Sequence, residues 1–293
     1  MSTTTQMVNA WLFINGENPT GVGYSDPGSS YQALLQNDVY QSIDVLFLAF
    51  FTTVPVGDGT YTIEIGGGVQ STVDLVQYVI NSARQNNPDI RIVATLGYGS
   101  GTNISKIFPD PDNPDAASAE AFAANLVAYL QASGLNGLDL DWESPISGDT
   151  TQEQFATFVN AVGKAFAQQP QKYYLTISPA VATNLDAAAV NANVDFVNLQ
   201  LYSGFTFPRD FTRLGINASL FAYGAAFANG TQTAQGAFDD NNAKYGYPIY
   251  TVWQMNPADF AYAQAQQKEL YALVLQPSSA SATAAAPAAA VPA

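Results

Sequence analysis

Short apolar runs recur along the chain, with amphipathic stretches between them. They fall at Val8–Ile14, Asp44–Phe50, Arg91–Leu96, Leu138–Trp142, Tyr174–Ser178, Phe196–Tyr202, Ser219–Tyr223 and Ile249–Trp253. Several lack strict alternation, as in Leu46-Phe47-Leu48-Ala49-Phe50-Phe51. Such runs fit parallel strands buried on both faces. The stretches between them show helical spacing. Leu75, Val76, Val79 and Ile80 form one stripe behind the capping pattern Ser71-Thr72-Val73-Asp74, and Pro88 stops that helix. Phe122, Leu126 and Leu130 repeat every four residues before Gly134, a C-terminal cap. Thr151 and Gln154 have capping-box spacing ahead of Phe155, Phe158, Val159, Val162 and Phe166. The run Gly66-Gly67-Gly68 lacks a phosphate-binding continuation and reads as a turn. Repeated strand–helix alternation predicts an α/β fold, a single-domain (β/α)8 TIM barrel. A doubly wound open sheet is the alternative.

The fourth run differs from the others. Asp139, Asp141 and Glu143 alternate with Leu138, Leu140 and Trp142. On a strand, alternate side chains point to opposite faces. The apolar set is heavy enough to demand burial, so the carboxylates sit on an ordered strand. In a barrel they face the axis, with Glu143 nearest the C-terminal mouth, where active sites lie. Carboxylates packed this closely cannot all ionise freely, so at least one proton is held at neutral pH. That property suits acid catalysis. A divalent-cation site is the other chemistry such oxygens offer, but the spacing lacks the glycine of a calcium loop.

Composition narrows the chemistry. There is no His and no Cys. Ser-His-Asp triads, thiolate nucleophiles and His-based metal sites are therefore excluded. Acid and base work falls to Asp, Glu, Tyr or Lys. The formal charge of −15 disfavours nucleic acid and anionic membrane surfaces. No apolar run reaches the roughly 18–20 residues of a membrane span. With 11% charged residues, the surface is carried by neutral polar groups, which suits a neutral polar partner. The absence of Cys, the low pI and the sparse Lys favour secretion, although no signal segment opens the chain. Apart from a single Val, residues 277–293 are Pro, Ser, Ala and Thr, with no aromatics, and read as a disordered tail or linker stub after a catalytic domain spanning 1–276.

The acidic strand resembles the signature of family-18 glycoside hydrolases, the chitinases and endo-β-N-acetylglucosaminidases, written Asp-Gly-x-Asp-x-Asp-x-Glu. Asn136 stands here for its first Asp. Further likenesses follow in order. Val194 to Tyr202, ending Gln200-Leu201-Tyr202, resembles the sixth strand of small plant-type chitinases. Tyr250-Thr251-Val252-Trp253 resembles the eighth, and Leu175 to Ala180 the fifth. Thr95-Leu96-Gly97-Tyr98 departs from the family's usual Ser-x-Gly-Gly.

The resemblance implies a retaining, substrate-assisted glycosidase, an exception to the two-carboxylate rule. Glu143 would protonate the glycosidic oxygen. Asp141 would hold the substrate's acetamido N–H, Asp139 would support Asp141, and Tyr202 would bind the acetamido carbonyl. Trp253 would floor the sugar ring, with Gln200, Tyr98 and Phe50 as further substrate contacts. Trp11 reads as core, and Phe205 and Phe207 as either sugar platforms or loop anchors. The expected partner is an N-acetylglucosamine-containing polysaccharide or glycan, bound by a monomer that uses no cofactor and no metal. Chitin is the first expectation, and the chitobiose core of N-glycans is the second. A non-catalytic sugar-binding relative is the rival from another class, against which the intact Glu143 speaks. The stretch Gly224–Pro248 is too short for the α+β domain inserted in larger chitinases, which predicts an open cleft and internal cleavage.

Overall fold

The computed structural model describes residues 5–14, 23–65, 70–97 and 104–275. Eight parallel strands close into a barrel: β1 (Met7–Phe13), β2 (Val45–Gly57), β4 (Arg91–Leu96), β5 (Gly137–Trp142), β6 (Tyr174–Pro179), β7 (Phe196–Leu199), β8 (Phe221–Ala226) and β9 (Ile249–Trp253). β1 pairs with both β2 and β9, which closes the ring. The remaining strand, β3 (Thr60–Ile65), is antiparallel to the extended end of β2 and forms a hairpin through Asp58-Gly59. The sequence pattern did not anticipate this hairpin. The (β/α)8 architecture is as expected, and the open sheet is not formed.

Helices cover the outside. The helix Gln152–Ala167 starts with the expected capping box: Gln154 N–H donates to Thr151 Oγ1 at 3.2 Å, and Thr151 N–H donates to Gln154 Oε1 at 2.9 Å. The helix Ala116–Ser133 ends at Gly134, whose φ of 75° is left-handed. The helix Gln70–Asn86 begins one residue ahead of Ser71, so its start is not at the Ser71 pattern, and it ends before Pro88. Residues 227–248 hold a turn and the helix Ala234–Lys244, leaving no room for an inserted domain. Among the described residues, no helix is long and apolar enough to cross a membrane. Gly66–Gly68 and the stretch 277–293 lie outside the described residues.

Two buried layers result. Leu46, Leu48, Ile92, Leu138, Leu140, Leu175, Ile177, Val197 and Val252 face the helices. Trp11, Phe47, Val93, Phe196 and Ala222 fill the barrel. The Phe47 ring lies 4.9 Å from Trp11 and 6.4 Å from Phe196, plugging the lumen. Three strands are clipped to their neighbours by the same device. Asp44 Oδ2 accepts from Val8 N–H at 2.7 Å, Asn136 Oδ1 from Ile92 N–H at 2.9 Å, and Asp195 Oδ2 from Leu175 N–H at 2.9 Å. An amide oxygen serves this purpose as well as a carboxylate. Asn136 can therefore replace the first Asp of the signature without touching the chemistry at the other end of β5.

The pairing of β5 with β6 is very close. A Cβ on Gly137 would stand 2.1 Å from Tyr174 O. Gly137→Ala should destabilise the fold by about 3 kcal/mol or more, because main chain cannot yield as a side chain can. Urea unfolding measures this, and an unchanged midpoint would contradict the spacing of these two strands.

Candidate active site

Alternation along β5 places every side chain. Leu138, Leu140 and Trp142 are fully buried on the helix side. The Trp142 ring sits 4.8 Å from Phe155, and its Nε1 donates to Thr183 O at 2.8 Å. The opposite face of β5 looks into the lumen. Asp139 is fully buried there. Its Oδ1 accepts from Thr176 Oγ1 at 2.6 Å and Ser178 Oγ at 2.8 Å, and Ser178 Oγ is 2.9 Å from Oδ2. Asp141 lies above it, also buried, and its Oδ1 accepts from Gln200 Nε2 at 2.9 Å. Asp141 and Glu143 share a hydrogen bond. Glu143 is half-buried, just past the end of the strand.

The electrostatics follow from burial. Desolvation pushes the Asp139 carboxyl up to about 6, against the hydrogen bonds from Thr176 and Ser178. Asp141 is pushed well above the ordinary carboxylate range, first by burial, then by the charges of Glu143 and Asp139. Burial raises Glu143 too, while its bond with Asp141 opposes the rise. The two thus share a proton, which burial and the neighbouring charges hold more strongly on Asp141 than on Glu143. Tyr202 is also pushed up, by burial and then by the three carboxylates, so its hydroxyl keeps its proton.

The neighbouring strand must make room for this arrangement. A Cβ on Gly97 would stand 2.5 Å from Asp141 Cβ. Only glycine at the end of β4 lets Asp141 sit where it does.

Above the acids opens a pocket of about 410 Å³. Its polar walls are Asp141, Glu143, Gln200, Tyr202 and Gln254, and its aromatic walls are Trp11, Phe13, Phe50 and Trp253. The Trp253 ring is 5.9 Å from Phe50, 6.3 Å from Phe13 and 6.2 Å from Trp11. Phe50 reaches the lumen because the β2–β4 register skips it: Ala49 pairs with Thr95, and Phe51 with Leu96. The Ala49–Phe50 and Trp253–Gln254 peptide bonds are cis.

The structure thus brings Asp141, Glu143, Gln200, Tyr202, Trp253 and Phe50 to one pocket, with Asp139 buried beneath them. Tyr98 lies outside the described residues. Tyr202 does not end a strand as its sequence suggests. β7 stops at Leu199, and Tyr202 stands in the 3-10 turn Leu201–Ser203 that follows. Trp11 is buried, as expected of a core residue, yet it also lines the pocket. Phe13 and Gln254 were not anticipated. Nor were Thr176 and Ser178, although polar residues alternating with Leu175 and Ile177 on a buried strand were a readable signal. Phe205 and Phe207 are exposed and line a separate depression, with the Arg209 guanidinium 4.8 Å from the Phe207 ring.

The sequence matches the family model described as glycosyl hydrolases family 18 over residues 20–279. The chain belongs to glycosyl hydrolase family 18. Chitinase A1 of Niallia circulans is 30% identical over 139 residues, which is 42% of this chain and 19% of that protein. Chitotriosidase-1 of Mus musculus is 28% identical over 147 residues, 46% of this chain and 31% of that protein. The matches thus span less than a third of these family members' length. Among solved structures, a class V chitinase from Nicotiana tobaccum superposes with a TM-score of 0.63 at 14% identity, covering 91% of this chain and 99% of that one. A chitinase-like agglutinin from Robinia pseudoacacia has a TM-score of 0.60 at 15% identity, covering 90% and 99%. The barrel is common to hydrolases and lectin-like proteins, so residues rather than fold must separate them.

The buried acids make a prediction for stability. Folded Asp139 holds its proton to about pH 6, whereas an unfolded Asp releases it near 4. Between these values the folded state binds more protons, so stability falls as pH rises. Asp139→Asn removes this exchange. Its stability relative to the native chain should rise by about 2–3 kcal/mol from pH 4 to pH 6. Urea unfolding at stepped pH measures the difference, and a flat difference would show that Asp139 is not perturbed.

Proposed function

We propose that the chain is a retaining glycoside hydrolase that cleaves β-1,4-linked N-acetylglucosamine polymers with help from the substrate's acetamido group. The observation that carries this reading is the hydrogen-bonded pair of buried Asp141 and half-buried Glu143 at the mouth of an aromatic-walled pocket. The proton Asp141 holds is the one catalysis needs. Passing along that bond, it makes Glu143 a general acid and leaves Asp141 anionic. Glu143 then protonates the glycosidic oxygen as the C1–O bond breaks. The acetamido oxygen attacks C1, and an oxazolinium forms. Its N–H and positive charge face the Asp141 carboxylate, whose burial strengthens the attraction. The Tyr202 hydroxyl, kept protonated, donates to the acetamido oxygen and sets it for attack. Glu143, now anionic, takes a proton from water, which opens the ring from the face the leaving group left. Configuration at C1 is retained.

Trp253 supports a sugar substrate specifically. Its indole, braced by Phe13, Phe50 and Trp11, offers a flat apolar surface of the kind that packs on sugar C–H groups. The β8–β9 connection holds only a turn and one helix, with no inserted domain to deepen the cleft on that side, which favours cleavage within a chain over cleavage from its end.

Glu143→Gln should lower kcat on a soluble chitin oligomer by about 10³-fold or more while leaving its Kd within a few-fold, by calorimetry. Normal turnover by the variant would remove Glu143 from the mechanism. The first product seen by NMR should be the β-anomer, and an α-anomer would exclude the acetamido route. Release of glycan from a high-mannose glycoprotein, with chitin oligomers untouched, would move the substrate to N-glycans and leave the chemistry standing.

A further inference from the structure

Beneath the pocket, a chain of buried polar groups crosses the lumen from β9 to β5. Thr251 Oγ1 lies 2.6 Å from Asn198 Oδ1, and Asn198 Nδ2 lies 3.1 Å from Ser178 Oγ, which contacts Asp139. Thr251, Asn198 and Asp139 are fully buried, and Ser178 is 1% exposed. None of Thr251, Asn198 and Ser178 lines the pocket, so none touches a substrate bound there.

The links have a forced direction. A carboxylate accepts only, so Ser178 must spend its single proton on Asp139. The Ser178 oxygen is then left to accept, and the Asn198 N–H meets it. This turns the Asn198 carbonyl toward Thr251, whose hydroxyl donates. Each donor points one residue nearer Asp139. The Thr251 bond is the one that fixes which way the Asn198 amide faces. Without it the amide can rotate, offer its oxygen to Ser178 and draw the serine proton away from Asp139.

We infer that Thr251 and Asn198 are positioning residues that act through Ser178 to keep Asp139 a hydrogen-bond acceptor, and so direct the proton of the acidic trio toward Asp141. This rests on the hydrolase reading above and extends it to residues two and four strands away from the acids. The groups facing Asp139 are Trp11 from β1, Thr95 from β4, Thr176 and Ser178 from β6, and Asp141 above it. Of the titratable groups in range, Asp141 and Glu143 are acids and Tyr202 stays neutral. Neutral donors alone therefore favour the Asp139 anion. Losing one lets Asp139 keep its proton to higher pH, at the expense of Asp141.

The test compares Thr251→Val, which keeps shape and loses the hydroxyl, with Thr251→Ser, which keeps the hydroxyl. Two readouts are taken: the pH profile of kcat/KM on a soluble chitin oligomer, and carboxyl ¹³C NMR titration of Asp-labelled protein. With Thr251→Val the acidic limb and the Asp139 resonance should both move up by about one pH unit. kcat should fall more than KM changes, and Thr251→Ser should behave as the native chain does. A lower Tm with an unmoved limb and resonance would reduce the chain of bonds to packing and overturn the inference. Should Thr251→Val not fold, Asn198→Ala is read in the same two ways. If the native protein turns over no chitin oligomer, the hydrolase reading fails, while the NMR titration still decides the role of Thr251.

Discussion

The site depends on a single constraint, the registration of β5 between two environments. Leu138, Leu140 and Trp142 are each wholly buried against helices. Side chains of this size contribute roughly 1.5–3 kcal/mol apiece when removed from water. A slip by one residue would drive them into a lumen already filled by Trp11, Phe47 and Phe196 and put Asp139 and Asp141 into the apolar layer. No other register is open to the strand. The outer core therefore does more than stabilise the barrel. It forces acids into a place they would not choose and holds them there, which is what raises their proton affinity.

Neighbouring strands are shaped to receive those acids. β4 is followed by Gly97, which clears space at Asp141. β6 presents Thr176 and Ser178 where an apolar strand could have carried valines, and Gln200 follows directly after β7. At the other end of the barrel, Asp44, Asn136 and Asp195 tie strand starts to neighbouring N–H groups. The two ends divide the labour. Asp44, Asn136 and Asp195 at the bottom accept main-chain donors and hold the stagger of the strands, whereas Asp139, Asp141 and Glu143 at the top are withdrawn from water beside one another and so hold protons more tightly.

Much of this was legible because it rests on period and local chemistry. The parallel strands, the capping box at Thr151, the cap at Gly134 and the facing of the acidic strand all follow from side-chain spacing. What escaped depended on exceptions to the period. Asp58-Gly59 is a strong hairpin signal, but Pro55 interrupts the run before it, and the β2–β3 hairpin was missed. Phe50 enters the lumen only because the register skips a residue, which no alternation rule foresees. Phe196 to Tyr202 reads as one strand, yet the chain turns after Leu199: Gln200 N–H still bonds Pro179 O on β6, but Ser203 N–H folds back to Gln200 O and closes the 3-10 turn Leu201–Ser203. Tyr202 is presented at the mouth by that break. The pocket's aromatic wall assembles Trp11, Phe13, Phe50 and Trp253 from three strands, and only the closing of the barrel reveals it.

The family and its fold leave open whether a member cuts or merely binds. A chitinase-like protein of Drosophila melanogaster is among the relatives, and a chitinase-like agglutinin among the similar structures. The energetics of the lumen bear on the choice. A binding protein needs the indole, the ring walls and a few hydrogen-bonding groups such as Gln200 and Tyr202. It gains nothing from three stacked carboxylic acids, two of them fully or nearly buried and each resisting ionisation. Burying such groups costs several kcal/mol even when they are well bonded. A proton shared between Asp141 and Glu143 becomes useful only when a bond to oxygen breaks beside it. This chain keeps Glu143 at the mouth and surrounds Asp139 with donors beneath, an arrangement that a lectin could lose at no cost to affinity and a hydrolase could not.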